Sequence, residues 1–433
     1  MNLSRDLSRK SFAIYGLGST GRSVIKYFNR NRFKNYVIWD DDKDLRRTWN
    51  LNKKKEEDFI NSLNLVDHII VSPGVDLKKV KYKKILLRNK DKIITDLDLF
   101  YILNPKIKSI VVTGTNGKST TCKIIDHLLK KNKIHSVLGG NIGKPILSLN
   151  LKKNPLVIIE ASSFQLSYSK FVKPNYALIL NITNDHLDWH GSMKKYIEAK
   201  FKIFSIQKKD DYAFINDKKL LSIYKIKKYA GKINFVRSKN FKKVKYKINN
   251  HHLNYQANEE NLSFVFALSK VLKITEKSFV KSLISFKGLP HRYEILFRKK
   301  NTVYINDSKA TSFQASSFAL KSNENIFWIV GGMPKTGDKI ILKNLKNKII
   351  KAYIIGNYMG NFKKQLSGKV DFQLSKTLNN AIDSIFKEIK NNKSKKTTVL
   401  LSPAAASYDQ FKNFEERGNQ FKKLIKNYDR KYF

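Results

Sequence analysis

Short apolar runs alternate along this chain with longer segments whose apolar residues recur at helical spacing. Near the N-terminus, strands are predicted over Phe12–Tyr15 and Tyr36–Trp39, with a helix near Arg22–Asn29 between them. The alternation returns at Lys108–Thr113, a β-branched run followed by a predicted helix over Thr120–Lys130. Because strands that alternate with helices are typical of parallel sheets covered by helices, the sequence predicts an α/β fold.

Further strands and helices follow at similar intervals. Strands are predicted over Asp67–Val71, Leu156–Ile159, Tyr176–Asn181, Thr302–Asn306, Phe327–Val330, Ala352–Ile355 and Thr398–Leu401, and helices over Lys194–Phe204 and Asn258–Val271. We expect three α/β domains in series, over residues 1–95, 96–288 and 289–433. The outer two are expected to be Rossmann-like, and the central one to be similar to a P-loop ATPase.

A glycine-rich segment, VVTGTNGKSTT at residues 111–121, lies where a predicted strand passes to a helix. It ends in Gly-Lys-Ser like a phosphate-binding loop, although Val112 stands where the usual pattern has its first glycine. Backbone N–H groups and the helix dipole at such a junction favour a bound anion. Lys118 is therefore predicted to lie along nucleotide phosphates, and the Ser119 hydroxyl to bind Mg²⁺. The alternative is an ordinary strand-to-helix turn, which the Gly-Lys-Ser context disfavours.

A second glycine motif, GLGSTG at residues 16–21, follows the first strand, and Asp40 ends the second. Glycines at this spacing with an acid about 20 residues later are typical of dinucleotide binding. An NAD-dependent oxidoreductase is therefore one interpretation of the N-terminal domain. The turn SPGV, residues 72–75, follows a third strand, at the sheet edge where ligands gather in open parallel sheets.

Acidic and histidine side chains follow two central strands. Glu160 comes directly after an apolar run, where an acid commonly holds Mg²⁺, and a solvated strand-end carboxylate is the alternative. Asp185, His186 and Asp188 lie in NDHLDWH and suggest a divalent cation site, although a histidine packed under a loop explains the spacing equally well. Zinc fits poorly, because no cysteine or histidine cluster completes a tetrahedral set.

Polar residues also follow strands in the last third of the chain. Asp307 and Lys309 lie in YINDSKATS, and Lys309 can neutralise charge on a transferred phosphoryl group or an acyl phosphate. Near the C-terminus, LSPAAASYDQF joins a strand to a helix, and amides close to Ser402 can bind an anion. The alternative for this segment is a simple Asp or Ser helix cap.

The amino-acid composition limits the classes of protein to which this chain can belong. The net charge is +50, but the lysines are spread through every segment, and A/T-rich codons explain them better than a nucleic-acid partner does. No apolar run approaches the roughly 20 residues of a membrane span, and the N-terminus has no signal-peptide core. Cys122, the single cysteine, is predicted to be a buried structural thiol. We therefore expect a cytoplasmic protein without nucleic-acid partners or membrane insertion.

Together these motifs resemble those of the Mur ligases, and the likeness covers nearly the whole chain. In chain order they are GTNGKST, GGNIG, EASSFQL, NITNDHLD, GLPHRYE, NDSKAT and LSPAAASYDQFKNFEERG. The family's ATP loop lacks the first glycine, which accounts for Val112. The last block resembles that of the D-glutamate-adding branch, and the D-N-P-R motif of the diaminopimelate-adding ligases is absent. Folylpolyglutamate synthases share the ATP loop but lack a similar N-terminal domain.

The resemblance implies a ligase that uses ATP and Mg²⁺ at two sites. Its implied reaction joins D-glutamate to UDP-N-acetylmuramoyl-L-alanine, a cytoplasmic step of peptidoglycan precursor synthesis. ATP phosphorylates the terminal L-alanine carboxylate, and the D-glutamate amine then attacks the acyl phosphate. Both partners are small molecules, and we expect a monomer.

The resemblance also implies roles for individual residues. For ATP these are Gly114, Thr115, Asn116, Gly117, Lys118, Ser119, Thr120, Asn258, Asn261 and Arg292. The implied Mg²⁺ ligands are Ser119, Glu160, His186 and Lys200, and the implied catalytic residues are Lys118, His186, Lys200, Asp307 and Lys309. The UDP-sugar is assigned to Ser19, Thr20, Asp40, Gly74 and Asn141, and D-glutamate to Thr311, Lys335, Ser407 and Phe414.

Two of these assignments have particular features. Lys200 matches a family lysine that CO2 carbamylates, which turns a cation into a carboxylate-like metal ligand. From the sequence alone, an ordinary lysine on a helix surface explains Lys200 as well. The segment GGMPKTGDK around Lys335 departs from the family's usual run of small and acidic residues.

Overall fold

The computed structural model describes residues 7–432 except 251, 254–256 and 392–395. The chain divides into two compact units. One comprises Met1–Ile248 with Glu260–Ile284, and the other Asn249–Glu259 with Ser285–Phe433. Three β-sheets lie within these units, two in the first and one in the second.

The described residues form the following elements. The strands are β1 (Phe12–Tyr15), β2 (Tyr36–Trp39), β3 (His68–Val71), β4 (Ile93–Ile94), β5 (Ser109–Thr113), β6 (Ser136–Gly140), β7 (Leu156–Glu160), β8 (Tyr176–Ile179), β9 (Tyr212–Ile215), β10 (Lys232–Phe235), β11 (Glu294–Lys299), β12 (Thr302–Asn306), β13 (Ile326–Gly331), β14 (Ile349–Ile355), β15 (Phe372–Lys376) and β16 (Thr397–Leu401). The helices are α1 (Ser19–Arg30), α2 (Lys43–Thr48), α3 (Lys53–Ser62), α4 (Lys83–Arg88), α5 (Asp96–Leu103), α6 (Lys118–Lys131), α7 (Ser163–Tyr168), α8 (Leu187–His190), α9 (Met193–Phe201), α10 (Lys218–Ile226), α11 (Ser238–Lys245), α12 (Ala257–Val271), α13 (Glu276–Ile284), α14 (Phe313–Lys321), α15 (Met359–Leu366), α16 (Leu378–Asn391) and α17 (Phe414–Tyr432).

The first sheet is parallel, with strand order β2-β1-β3-β4. Along β1 the side chains alternate between two hydrophobic clusters, because successive residues of a strand point to opposite faces. Phe12 and Ile14 pack in one cluster, and Ala13 and Tyr15 in the other. Both faces are therefore covered, as is usual for parallel sheets.

The central sheet is also parallel, with order β10-β9-β8-β5-β7-β6. Every residue of β5 is buried, as the apolar β-branched run Ile110–Val112 at its centre leads one to expect. From β5 the chain builds β6 and β7 on one side of that strand, and it then crosses to the other side to form β8. Such a reversal places the loops after β5, β7 and β8 around one crevice at the carboxyl edge.

The third sheet, in the second unit, has order β11-β12-β16-β13-β14-β15. The strand β11 runs antiparallel to β12, and the other neighbours are parallel. Two hydrophobic clusters cover its faces, one containing Trp328 and Leu400 and the other Phe327 and Val399. The carboxyl ends of β12, β16 and β13 are adjacent, so the loops that follow them lie together.

The predicted α/β fold is confirmed, and most predicted strands are observed. Tyr176–Asn181 was predicted too long, since β8 ends at Ile179, and the predicted helix Lys194–Phe204 divides into α9 and a 3-10 turn at Lys202–Phe204. The domain boundaries remain a prediction. None of the helices in the described part of the chain has the length and apolar character needed to cross a membrane.

Candidate active site

The glycine-rich loop after β5 has a backbone that only glycine adopts readily. Gly114 and Gly117 have φ values of +154° and +83°. A Cβ on Gly117 would lie 2.1 Å from Oδ1 of Asn261, so α12 packs directly against the loop. Gly117 also precedes α6, and no side chain caps the N-terminus of this helix. The loop therefore presents an uncapped helix N-terminus whose backbone lies close to its neighbours, and this is the geometry of a phosphate site.

Several side chains hold this loop in place. Asn181 accepts a hydrogen bond from the Asn116 N–H at 2.8 Å and donates to Glu260 Oε2 at 3.0 Å. The Thr115 hydroxyl lies 3.0 Å from the hydroxyl of Tyr196 on α9. The sequence analysis assigned no role to Asn181, Glu260 or Tyr196, because their partners are distant in the chain. They fix the loop before any ligand binds.

Lys118 and Lys200 lie beside the same loop. Lys118 Nζ donates to the carbonyl oxygens of Gly114 and Thr115, each at 2.8 Å. Lys200 is 1% exposed, and its Nζ donates to the Gly114 carbonyl at 2.9 Å. Burial, and then the charge of Lys118, lower the pKa of Lys200 well below its usual value, against a smaller opposing effect of Asp185. Lys200 is thus a buried amine at the glycine-rich loop and not a surface lysine.

Glu160 ends β7 and is 2% exposed. Its Oε1 accepts a hydrogen bond from Asn141 Nδ2 at 2.9 Å. Its Oε2 is buried and has no hydrogen-bond partner among the described residues. Leaving a buried carboxylate oxygen unpaired is unfavourable, so a ligand with positive charge would stabilise this position.

His186 precedes α8 in a left-handed conformation, with φ +54°. Its Nε2 lies 3.4 Å from Asp185 Oδ2, and its ring packs 4.6 Å from that of Phe164. The neighbouring His190 is buried, with Nε2 3.0 Å from the Ser163 hydroxyl. Burial, followed by the charge of His186, lowers the pKa of His190 to about 4. Of the two imidazoles, His186 is the more exposed and the more suitable for a ligand.

The donor types in this region suit Mg²⁺. The unpaired Glu160 oxygen and the Ser119 hydroxyl are hard oxygen donors, which this ion prefers. No group of three or more His, Cys, Asp and Glu side chains with metal-binding geometry occurs within the described ranges. The donor set implied by the resemblance differs from such a group, because it includes a hydroxyl and a modified lysine. As an ammonium, Lys200 would repel a cation; as a carbamate, it would supply oxygen ligands.

The GLGSTG loop in the first sheet forms a tight turn. Gly16 has φ +98°, and a Cβ on Gly21 would lie 1.9 Å from the Gly16 carbonyl oxygen. Asp40 accepts hydrogen bonds from the N–H groups of Leu17, at 2.6 Å, and Asp42, at 2.8 Å. The acid that would bind a ribose in a dinucleotide site is therefore engaged in holding the loop.

The remaining residues predicted to bind the UDP-sugar fall in two places. Ser19 and Thr20 open α1, whose N-terminus has no side-chain cap, and Gly74 lies in the turn after β3. Asn141 lies after β6 in the central sheet, where its side chain donates a hydrogen bond to the carboxylate of Glu160. The helix N-terminus at Ser19 offers backbone N–H groups to an anion such as a diphosphate.

In the second unit, Asp307 follows β12 and is buried. It accepts hydrogen bonds from the Ser402 hydroxyl at 2.8 Å and from the Tyr293 N–H at 3.0 Å. Burial raises the pKa of Asp307 to about 7, and these two hydrogen bonds and the charge of Arg292 oppose the shift. Asp307 thus connects the loops after β12 and β16.

Lys309 lies two residues beyond Asp307, with its Nζ 3.7 Å from the centre of the Phe414 ring. Such a contact places the ammonium over the negative face of the ring. The structure therefore brings together a residue predicted for the reaction centre and one predicted for D-glutamate. Ser407 is buried nearby in the chain segment after β16, whereas Thr311 and Lys335 are partly exposed. Asn258 lies on α12, with Nδ2 donating to the His252 carbonyl at 3.0 Å.

Comparison with known proteins gives matches over most of the chain. The family description "Mur ligase MurD-like, N-terminal domain" matches residues 10–93, and "Mur ligase middle domain" matches residues 112–282. The UDP-N-acetylmuramoylalanine--D-glutamate ligase of Rickettsia felis is 34% identical over 97% of this chain and 97% of its own length. The protein of the same name from Rickettsia prowazekii is 34% identical over 96% of this chain and 98% of its own.

A solved structure shares the fold. The MurF ligase from Thermotoga maritima in complex with ADP matches with a TM-score of 0.57, covering 87% of this chain and 93% of that chain. Its sequence is 17% identical, so the likeness concerns the fold.

Proposed function

Because this chain belongs to the Mur ligase family, we propose that it joins UDP-N-acetylmuramoyl-L-alanine to D-glutamate, with cleavage of ATP to ADP and phosphate. The predicted family is confirmed. The substrate assignment rests on the two relatives named UDP-N-acetylmuramoylalanine--D-glutamate ligase, which are 34% identical over nearly the whole chain. The reaction is an amide-forming step of peptidoglycan precursor synthesis.

In the first unit, the loop from Gly114 to Thr120 binds the ATP phosphates. The positive φ at Gly117 and the uncapped N-terminus of α6 support this role, because both direct backbone N–H groups towards an anion. Lys118 turns from the Gly114 and Thr115 carbonyls to the phosphates when the nucleotide enters. Asn258, Asn261 and Arg292 bind the adenosine end.

Two Mg²⁺ sites accompany the nucleotide. Ser119 and Glu160 hold one ion, and His186 and carbamylated Lys200 hold the other. The unpaired Oε2 of Glu160 supports the first site, and the lowered pKa of Lys200 supports the second, since only a neutral amine reacts with CO2. When bound, the ions neutralise phosphate charge that would otherwise oppose attack by a carboxylate.

The first step activates a carboxylate, which is a poor electrophile. An oxygen of the L-alanine carboxylate attacks the γ-phosphorus of ATP, and the bond from that phosphorus to the ADP oxygen breaks. The product is an acyl phosphate with a good leaving group. Lys118 stabilises the negative charge that accumulates on the phosphoryl oxygens.

In the second step the D-glutamate amine attacks the acyl carbon. The nitrogen gives up a proton to water, and the tetrahedral intermediate expels phosphate to leave the amide. Thr311, Lys335, Ser407 and Phe414 bind D-glutamate, and Lys309 neutralises the acyl phosphate and the intermediate. The hydrogen bonds of Asp307 to Ser402 and Tyr293 support its role in fixing the loop that carries Lys309.

Ser19, Thr20, Asp40, Gly74 and Asn141 bind the UDP-sugar. The proposed domains are residues 1–95 for the UDP-sugar, 96–288 for ATP and 289–433 for the amino acid. The enzyme acts in the cytoplasm as a monomer on small molecules alone.

Mass spectrometry of the products tests this function. Purified protein is incubated with ATP, Mg²⁺, UDP-N-acetylmuramoyl-L-alanine and D-glutamate, and each component is omitted in turn. We expect the D-glutamyl product only in the complete mixture. Cleavage of ATP without that product would contradict the assignment.

A further inference from the structure

The four residues proposed for D-glutamate lie on four separate segments of the second unit. Thr311 follows β12, Lys335 follows β13, Ser407 follows β16, and Phe414 begins α17. Loops after different strands keep a common geometry only if something connects them. The sequence analysis assigned no residue to this task.

Arg417, on the first turn of α17, donates hydrogen bonds to the segments after β12 and β16 and lies close to the segment after β13. Its Nε donates to the Ser308 hydroxyl at 3.0 Å, and its Nη2 donates to the carbonyls of Ser308 at 2.8 Å and Ala405 at 3.0 Å. A Cβ on Gly332, in the segment after β13, would lie 3.2 Å from Nη1. The Ser308 hydroxyl in turn donates to the Phe414 carbonyl at 2.8 Å.

The environment of Arg417 is unusual for a charged side chain. It is 1% exposed, and its described hydrogen bonds end on two carbonyls and one hydroxyl. Burial lowers the pKa of Arg417 to about 10, against the charge of Asp409, so the guanidinium remains protonated at neutral pH. Burying a cation among neutral acceptors is unfavourable for folding, which points to a purpose other than stability.

We propose that Arg417 is the positioning residue of the amino-acid site. Its planar guanidinium holds the segments of Thr311, Lys335, Ser407 and Phe414 in one arrangement, and its buried charge favours an anionic amino acid over a neutral one. The inference rests on the proposed function, since it concerns D-glutamate, which carries two carboxylates. Arg417 acts through the four segments and through its electric field, not by contact with the substrate.

Lysine is a poor replacement at this position. The guanidinium presents its donors in a fixed fork, whereas an ammonium is a point charge at the end of a flexible chain. Arg417→Lys keeps the charge, but a single ammonium cannot replace both Nε at the Ser308 hydroxyl and Nη2 at the Ser308 and Ala405 carbonyls. Arg417→Met removes the charge as well, so the two variants separate geometry from electrostatics.

Steady-state kinetics of the full chain tests the proposal, with each of the three substrates varied in turn. For Arg417→Lys we expect the KM for D-glutamate to rise about tenfold or more, with kcat and the other two KM values within about twofold. Arg417→Met should raise the KM for D-glutamate further. Ser308→Ala leaves the guanidinium in place but removes one of its acceptors, and it should raise the KM for D-glutamate by a smaller factor. This variant keeps the proposal testable if the arginine variants fail to fold.

Lys422→Met is the matched control. Lys422 lies on the same helix and pairs with Glu294 at 2.7 Å, so its replacement also removes a partly buried cation. We expect it to lower the thermal unfolding midpoint without raising the KM for D-glutamate. Equal changes in all three KM values, or no change in either Arg417→Lys or Ser308→Ala, would overturn the positioning role while leaving the proposed function intact. Wild-type protein without D-glutamate-dependent phosphate release would overturn both.

Discussion

Lys118 and Lys200 donate hydrogen bonds to the same acceptor, the carbonyl oxygen of Gly114, at 2.8 and 2.9 Å. Two ammonium groups on one oxygen repel each other, and Lys200 is also buried. Both effects lower the pKa of Lys200, so this side chain gives up its proton more readily than an exposed lysine. A neutral amine at this position is the form that reacts with CO2.

Lys200→Ala is therefore expected to abolish activity, and added short carboxylates such as formate or acetate should restore part of it by replacing the carbamate. In wild-type protein supplied with ¹³C-bicarbonate, a carbamate carbon signal should appear in the NMR spectrum and be absent from the variant. Lys195→Ala, at an exposed position on the same helix, is the control and should retain both activity and signal. Correctly folded Lys200→Ala that no carboxylate rescues, together with an absent wild-type signal, would contradict the carbamate.

Gly117→Ala tests the phosphate loop. The added Cβ would lie 2.1 Å from Asn261 Oδ1 at a φ of +83°, so both the clash and the strain displace the loop. We expect ATP affinity, measured by calorimetry, to fall at least about tenfold, which corresponds to roughly 1.4 kcal/mol. Gly368→Ala has a similar φ of +72° but open space around the Cβ, and should leave ATP affinity unchanged. Equal ATP affinity in wild type and Gly117→Ala would exclude this loop as the nucleotide site.

Glu160→Gln tests the first metal site. The substitution keeps the size of the side chain and an acceptor for Asn141, but removes the charge that an ion at the unpaired oxygen requires. Titration with Mn²⁺, followed by electron paramagnetic resonance in the presence of ADP, should show weaker binding by about tenfold or more. Glu198→Gln, an exposed glutamate on α9, should bind Mn²⁺ as wild type does. Unchanged binding in Glu160→Gln would place the ion elsewhere.

Asp307→Asn should change how stability depends on pH. Burial raises the pKa of Asp307 from 3.8 to about 7, so the folded protein holds this proton more tightly than the unfolded chain. The resulting stabilisation is complete below about pH 4 and is lost as the pH rises to about 7, at up to roughly 1.4 kcal/mol per pH unit. The difference in free energy of unfolding between wild type and variant should therefore fall over this window and level off above it. Denaturant unfolding at several pH values would refute the prediction if that difference stayed constant.

The sequence predicts strand limits well where a short run is bounded on both sides by polar residues or glycine, as by Ser11 and Gly16 or by Asn35 and Asp40. Phe12–Tyr15, Tyr36–Trp39 and Thr302–Asn306 were predicted with the bounds that the structure has. In contrast, Glu294–Lys299 was not predicted as a strand, because it is a half-buried edge strand with mixed polarity. Strand β8 is shorter than predicted, because the chain leaves the sheet to bring Asn181 to the Asn116 N–H.

The candidate site was predictable only where the signal is local in the chain. The glycine-rich loop between a strand and a helix follows from residues that are neighbours in the chain, and the position of Glu160 at a strand end follows from the apolar run before it. The burial of Lys200 and the bond from Arg417 to Ser308, 109 residues away, depend on how distant segments pack. No periodicity or spacing within one segment contains that information.

Phosphate release from ATP is the most direct test of the central claim. It is measured with UDP-N-acetylmuramoyl-L-alanine and, in parallel reactions, D-glutamate, L-glutamate or diaminopimelate. The account predicts release that depends on D-glutamate and is near background with the other two amino acids. Release that depends on L-glutamate or diaminopimelate instead, or no release with any of the three, would contradict it.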